Sequence, residues 1–140
     1  MKILIVGAGI GGLSAAISLA LSQAGHSVTL VEREASFAPV GAGIVLAPNA
    51  SRALALLGVQ LEAHAAPVSA LDIVRADGTL LNHVDTARLA QVYGPTYAFA
   101  RPRLHDALVA ALPRHVELRM GSAADMDCLT ALKASPAKTS

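Results

Sequence analysis

Ile3-Leu4-Ile5-Val6-Gly7-Ala8-Gly9-Ile10-Gly11-Gly12-Leu13 opens the chain, and Ser27-Val28-Thr29-Leu30-Val31-Glu32 follows after one helical length. Ile3 to Val6 is a continuous aliphatic run, the pattern of a parallel strand covered on both faces. Leu13 to Ser22 reads as an alanine-rich helix able to lie close to a sheet, Gly25 supplies its stop, and Ser27 to Val31 is a second strand. Strand, helix and strand thus occupy about 30 residues, the size of one βαβ unit.

The glycines between the first strand and the helix satisfy G-x-G-x-x-G. Gly7 permits the tight turn out of the strand, Gly9 leaves room for a pyrophosphate against the backbone, and Gly12 allows helix and strand to pack closely. The helix that starts there points unpaired N–H groups and its positive dipole end toward the phosphates. Glu32 stands 20 residues beyond Gly12 at the end of the second strand, where a carboxylate can accept from ribose hydroxyls. The motif alone is a weak signal, compatible with a bare glycine-rich turn and a surface glutamate. Strand, turn, helix, strand and acid in the required order predict an α/β, Rossmann-like dinucleotide-binding domain.

Composition sets the surrounding limits. Over 140 residues, 54% hydrophobic and 15% charged content fits a globular domain with one core. Eleven Lys and Arg against ten Asp and Glu leave a formal charge of +1, without the cationic excess that a nucleic-acid surface requires. Cys128 is the single cysteine, so no internal disulfide is available, which agrees with a reducing, cytoplasmic setting. The apolar run from Ile3 to Ala24 superficially resembles a signal peptide or membrane span, but Gly7, Gly9, Gly11 and Gly12 would break such a helix near its start. The five histidines show no HxxxH or Cys/His pairing, so no metal site is expected; Ser14 and Ser18 lack the context of a nucleophile.

Farther along, Arg33 to Ala47 reads as a long irregular loop containing Pro39, Gly41 and Gly43, and the apolar Gly41-Ala42-Gly43-Ile44 within it suggests an ordered loop against a ligand. Asn49 to Leu57 resumes a helix closed by Gly58. Leu71 to Arg75 and Thr79 to His83 flank Ala76-Asp77-Gly78 as a hairpin, and Tyr97 to Ala100 is extended. Arg103 to Leu112 reads as a helix ended by Pro113, and Val116 to Met120 as a last strand. Asp125 to Thr130 has the pattern of a short helix, and Lys133 to Ser140 the composition of a disordered tail.

Gly25-His26-Ser27-Val28-Thr29-Leu30-Val31-Glu32-Arg33, Gly41-Ala42-Gly43-Ile44, Pro48-Asn49-Ala50 leading to Leu57-Gly58, and Arg101-Pro102-Arg103-Leu104 together resemble FAD-dependent monooxygenases of the aromatic hydroxylase, para-hydroxybenzoate hydroxylase-like, family. The resemblance runs from residue 1 to about 120 in the family's order. Such enzymes bind FAD in a Rossmann-like domain, reduce it with NADPH or NADH, and insert oxygen into a small, often aromatic substrate. By position, it implies that Gly7, Gly9 and Gly12 hold the FAD pyrophosphate, Glu32 the adenosine ribose, and that Arg33 lies beside the adenosine. Arg101 matches the arginine of the family's RxxL motif, which contacts the flavin cofactor; a planar guanidinium fork suits phosphate and ribityl oxygens. The alternative for Arg101 is a surface position at a helix start. Gly43 and Ile44 match a loop that passes near the flavin, the alternative being a loop packed for its own stability.

The family's middle Asp-Gly segment, its later Gly-Asp segment and its substrate-covering sheet domain have no counterpart in these residues. Asp77-Gly78 precedes Arg101 and reads as the hairpin turn. The expectation is therefore residues 1–121 as the N-terminal portion of an FAD-binding domain, incomplete at its C-terminal end, with 122–140 as a divergent tail and the substrate domain absent. The chain is expected to bind FAD without being catalytically competent alone, and no catalytic residue is identified. The competing readings are a small NAD(P)- or ADP-binding module without redox turnover and a fragment without function.

Overall fold

The computed structural model describes residues 1–22, 24–37, 41–124 and 130. In chain order the elements are β1 (Lys2–Val6), α1 (Ile10–Leu21), β2 (Ser27–Val31), β3 (Gly43–Leu46), α2 (Pro48–Leu56), β4 (Ala66–Pro67), β5 (Ala70–Val74), β6 (Leu80–Asp85), α3 (Thr86–Tyr93), β7 (Tyr97–Ala100), α4 (Arg101–Ala110) and β8 (Glu117–Arg119). The chain divides into two compact units, one of Met1–Pro39 with Leu108–Ser140 and one of Val40–Ala107.

The first unit carries a parallel sheet in the order β1-β2-β8. β1 and β2 run in register from Lys2↔Ser27 to Val6↔Val31, and β2 pairs with β8 from Thr29↔Glu117 to Val31↔Arg119. As the central strand, β2 buries Val28, Thr29, Leu30 and Val31, which is why its sequence does not alternate. Leu13, Ala16 and Ile17 form the buried stripe of α1 at helical spacing. Full burial of a side chain such as Leu13 or Leu30 contributes about 1.5–3 kcal/mol each. Thr29, buried in the sheet, donates its hydroxyl to Glu117 Oε2 at 3.2 Å, and Arg119 Nη2 approaches Glu117 Oε1 at 2.8 Å.

The second unit contains an antiparallel sheet ordered β3-β7-β4 and the separate hairpin β5-β6. The hairpin closes where expected: Gly78 adopts φ +87°, Arg75 N–H donates to Thr79 O at 2.9 Å, and Asp77 Oδ1 accepts from Thr79 N–H at 2.9 Å. Its apolar residues Leu71, Ile73, Val74, Leu80 and Leu81 remain exposed.

Several expectations are corrected. The irregular stretch extending to Ala47 contains a strand, β3, whose partner β7 lies far along the chain, so local pattern did not reveal it. Neither β4 nor α3 was anticipated; α3 is nucleated by Asp85, whose Oδ1 accepts from Arg88 N–H at 2.8 Å, and stopped by Gly94. α1 begins at Ile10 rather than Leu13, because the glycines themselves form its first turn. α4 begins at Arg101 rather than Arg103: Pro102 sits in the first turn, where its missing N–H costs no intrahelical bond. β8 is shorter than Val116 to Met120 by a residue at each end. The helix expected over Asp125 to Thr130 lies outside the described residues except for Thr130, and the tail from Lys133 to Ser140 lies wholly outside them.

Candidate functional site

β1 ends at Val6, and Gly7 turns the chain with φ +94°, a conformation that an L side chain strains to adopt. Its N–H donates to Val31 O at 2.8 Å, extending the β1–β2 ladder by one bond. Gly9 then serves as the N-cap of α1 with no side-chain cap, and Leu13 N–H closes the first helical bond to Gly9 O at 2.9 Å. The free donors of this helix end are therefore open to an anion.

The three glycines of the motif are glycines for different reasons. A Cβ at Gly12 would stand 1.9 Å from Gly7 O, so the turn and the helix cannot pack with any side chain there. A Cβ at Gly9 would meet nothing within 4 Å, and its φ of −74° suits any residue. The protein's own packing thus makes no demand for glycine at position 9; open space at an uncapped helix N-terminus suits a group from outside.

Glu32 is placed by the parallel register, which ends β1 and β2 side by side at Val6↔Val31. Its Oε2 accepts from Ala8 N–H at 2.8 Å and its Oε1 from Glu34 N–H at 3.1 Å. These two amides, Glu34 first and Ala8 second, hold the Glu32 carboxyl below the usual carboxylate range, outweighing the opposing effect of partial desolvation. The backbone around it is fixed on the other side by β8: Glu32 N–H donates to Arg119 O at 2.8 Å, Ser122 N–H to Glu32 O at 2.7 Å, and Gly121 N–H to Glu34 O at 2.8 Å. Arg33 directs its Nε to Glu34 Oε1 at 3.2 Å with a largely exposed side chain.

An open cleft of about 470 Å³ lies at these strand ends, lined by Val6, Gly7, Val31, Glu32, Arg33 and Ser122, Ala123 and Ala124. Sequence reasoning missed the last three and assigned them to the divergent tail. The signal that could have found them is their position directly after β8, on the same carboxyl edge as Gly7 and Glu32.

In the second unit, Arg101 is the junction of β7 and α4. Its N–H donates to Ala42 O at 3.2 Å, and Gly41, at φ +137°, lies so close that a Cβ there would stand 2.8 Å from Arg101 Cδ. The pairing of β3 with β7 puts Gly43 opposite Ala100 and Ile44 opposite Phe99, so Arg101, Gly43 and Ile44 form one cluster. Gly41, quoted in the loop from sequence but given no cofactor role there, belongs to the same cluster. A Cβ at Gly43 would make only an ordinary 3.6 Å contact with Phe99 O. Ion pairs among the described residues include Arg33–Glu34, His83–Asp72 and Arg119–Glu117, and the exposed Arg101 guanidinium takes part in none of these three.

Among the described residues there is no group of three or more metal-ligating side chains, and no helix is long and apolar enough to cross a membrane.

A parallel βαβ unit with a glycine turn and a strand-end carboxylate defines an α/β dinucleotide-binding domain. The sequence model of the FAD binding domain family matches residues 1–134, and the chain belongs to that family. It is 39% identical over 117 residues to the 3-amino-4-hydroxybenzoate 2-monooxygenase PtnB3 of Streptomyces platensis, covering 80% of this chain and 29% of that protein. It is 39% identical over 115 residues to 3-hydroxybenzoate 6-hydroxylase 1 of Aquipseudomonas alcaligenes, covering 79% and 29% respectively. Among solved structures, p-nitrophenol 4-monooxygenase PnpA from Pseudomonas putida superposes with a TM-score of 0.72 at 26% identity, over 86% of this chain and 32% of that one. The chain thus spans roughly a third or less of the length of these proteins.

Proposed function

We propose that this FAD-binding chain holds the ADP half of FAD at the turn between β1 and α1, within a flavin-dependent monooxygenase that takes electrons from NADPH or NADH and hydroxylates a small aromatic substrate. The observation that carries the proposal is the parallel register ending at Val6↔Val31, which sets the Gly7 turn, the uncapped start of α1 and the Glu32 carboxylate along one sheet edge. Gly7 makes the turn, Gly9 keeps the space before α1 open and Gly12 lets helix and strand pack, so that the first N–H groups of α1 face the pyrophosphate; Glu32 accepts from the ribose hydroxyls, and Arg33 lies beside the adenosine. The cleft between Glu32 and Ser122–Ala124 has room for a nucleoside. Arg101, with Gly43 and Ile44 beside it, supplies a guanidinium outside those three ion pairs, suited to phosphate or ribityl oxygens. Bound flavin supplies the redox chemistry; the chain's part is to bind and orient it. The aromatic substrate and the oxygenation are taken from the names of the relatives.

The test is to load the chain with FAD, pass it through gel filtration and record its visible spectrum. Co-eluting flavin bands are expected, reduced in Arg101→Ala and partly restored in Arg101→Lys, because an ammonium lacks the bidentate fork. A colourless protein that retains NAD(H) instead would overturn the flavin assignment. Full flavin loading by both variants would remove Arg101 from the site.

A further inference from the structure

We propose that Glu32 is a positioning residue for the phosphate-binding turn as well as a ribose ligand: its carboxylate clamps the Ala8 amide to the Glu34 amide before any nucleotide arrives. The proposal rests on the reading of the Gly7–Gly12 turn as the pyrophosphate site and gives Glu32 a second task there.

Ala8 lies between β1 and α1 and belongs to neither ladder, yet it is only 1% exposed. A buried amide at such a place needs an acceptor, since leaving it unpaired is costly. Glu32 Oε2 meets it at 2.8 Å, reaching across from the neighbouring strand, while Oε1 takes the Glu34 amide at 3.1 Å. The clamp therefore joins the segment that begins the phosphate turn to the segment that leaves β2. Backbone bonds from Glu32 and Ser122 anchor that second segment to the end of β8 and the residues after it, so the turn is fastened to a fixed frame.

The two tasks are compatible because an ionised carboxylate offers about four acceptor positions, and two remain for the ribose hydroxyls. Glutamine cannot substitute fully. Its amide has one oxygen and one NH2, so one of the two backbone donors would face another donor. The depressed pKa of Glu32 agrees with both amides favouring its ionised form.

Two measurements on the full chain decide the matter. In the ligand-free protein, amide hydrogen exchange at Ala8 should be slower in the parent than in Glu32→Ala by roughly tenfold or more, the factor expected for one hydrogen bond to a charged group. The Ala8 and Glu34 amide proton shifts should also move together as the carboxyl titrates, and cease to do so in the variant. Binding of 2′,3′-dideoxy-ADP, which lacks both ribose hydroxyls, should weaken roughly tenfold in Glu32→Ala, because the phosphate turn loses its shape. Equal exchange at Ala8, or equal dideoxy-ADP affinity, in parent and Glu32→Ala would overturn the clamp and leave only the ribose contact. Should the parent fail to bind ADP at all, the nucleotide reading falls, while the exchange and titration data still decide the clamp.

Discussion

In the unit formed by Met1–Pro39 and Leu108–Ser140, Gly12 and Glu32 are placed by consecutive elements of a single strand–helix–strand passage. In Val40–Ala107, Arg101 and Gly41 meet only because β3 pairs antiparallel with the distant β7. The first arrangement repeats a geometry that every βαβ unit of this kind shares, so residue spacing alone forecasts it. The second requires a long loop to close before its residues become neighbours, and nothing in the local pattern of either strand specifies the partner. The difference extends to the glycines: Gly12 is demanded by backbone, the Gly7 carbonyl, whereas Gly41 combines a positive φ with the flexible stem of a side chain.

The largest expected effect tests that contrast within the first unit. Gly12→Ala should lower the unfolding free energy by about 3 kcal/mol, the upper end for overpacking, because its Cβ would stand 1.9 Å from Gly7 O and helix or strand must move. Gly9→Ala should cost under about 1 kcal/mol, the modest penalty of alanine at an N-cap. Urea denaturation of both variants checks this; similar losses would mean that the two glycines do not differ as their surroundings indicate.

Glu32→Ala should weaken ADP binding by about 1–3 kcal/mol through loss of a charged acceptor, as measured by calorimetric titration against the parent. Unchanged affinity in a folded variant would move the ribose site elsewhere.

In the second unit, Gly41→Ala should destabilise by about 1–3 kcal/mol, mostly from holding a non-glycine residue at φ +137°. Since the clash is with Arg101 Cδ, the variant should also displace the guanidinium and reduce FAD retention. Loss of stability with full retention would separate the Gly41–Arg101 contact from cofactor binding.

The smallest expected effect is on acid stability. The Glu32 pKa is lowered in the folded chain, so its contribution is fully present above the ordinary carboxylate range and declines as pH falls through that range toward the depressed value. Glu32→Gln should flatten the corresponding part of a stability-against-pH curve between acid pH and neutrality. Parallel curves for parent and variant would show that the Ala8 and Glu34 bonds are also made to the neutral acid.

The sequence by itself determined β1, α1 and β2, the hairpin turn at Asp77-Gly78, and the roles open to Gly7, Gly12 and Glu32. Each depends on periodicity or spacing within a short stretch, and such local preferences survive in almost any surroundings. The motifs through Arg101 likewise carry the resemblance to the FAD binding family. Only the tertiary structure decided that Gly43 to Leu46 is a strand rather than loop, that Arg101 packs over Gly41, and that Ser122 to Ala124 line the cleft beside Glu32. It also showed Arg33 turned toward Glu34 and Glu32 bonded to the Ala8 amide. These are pairings between distant or oppositely oriented segments, fixed by hydrogen bonds and steric fit across the fold, and no single stretch of sequence contains both partners.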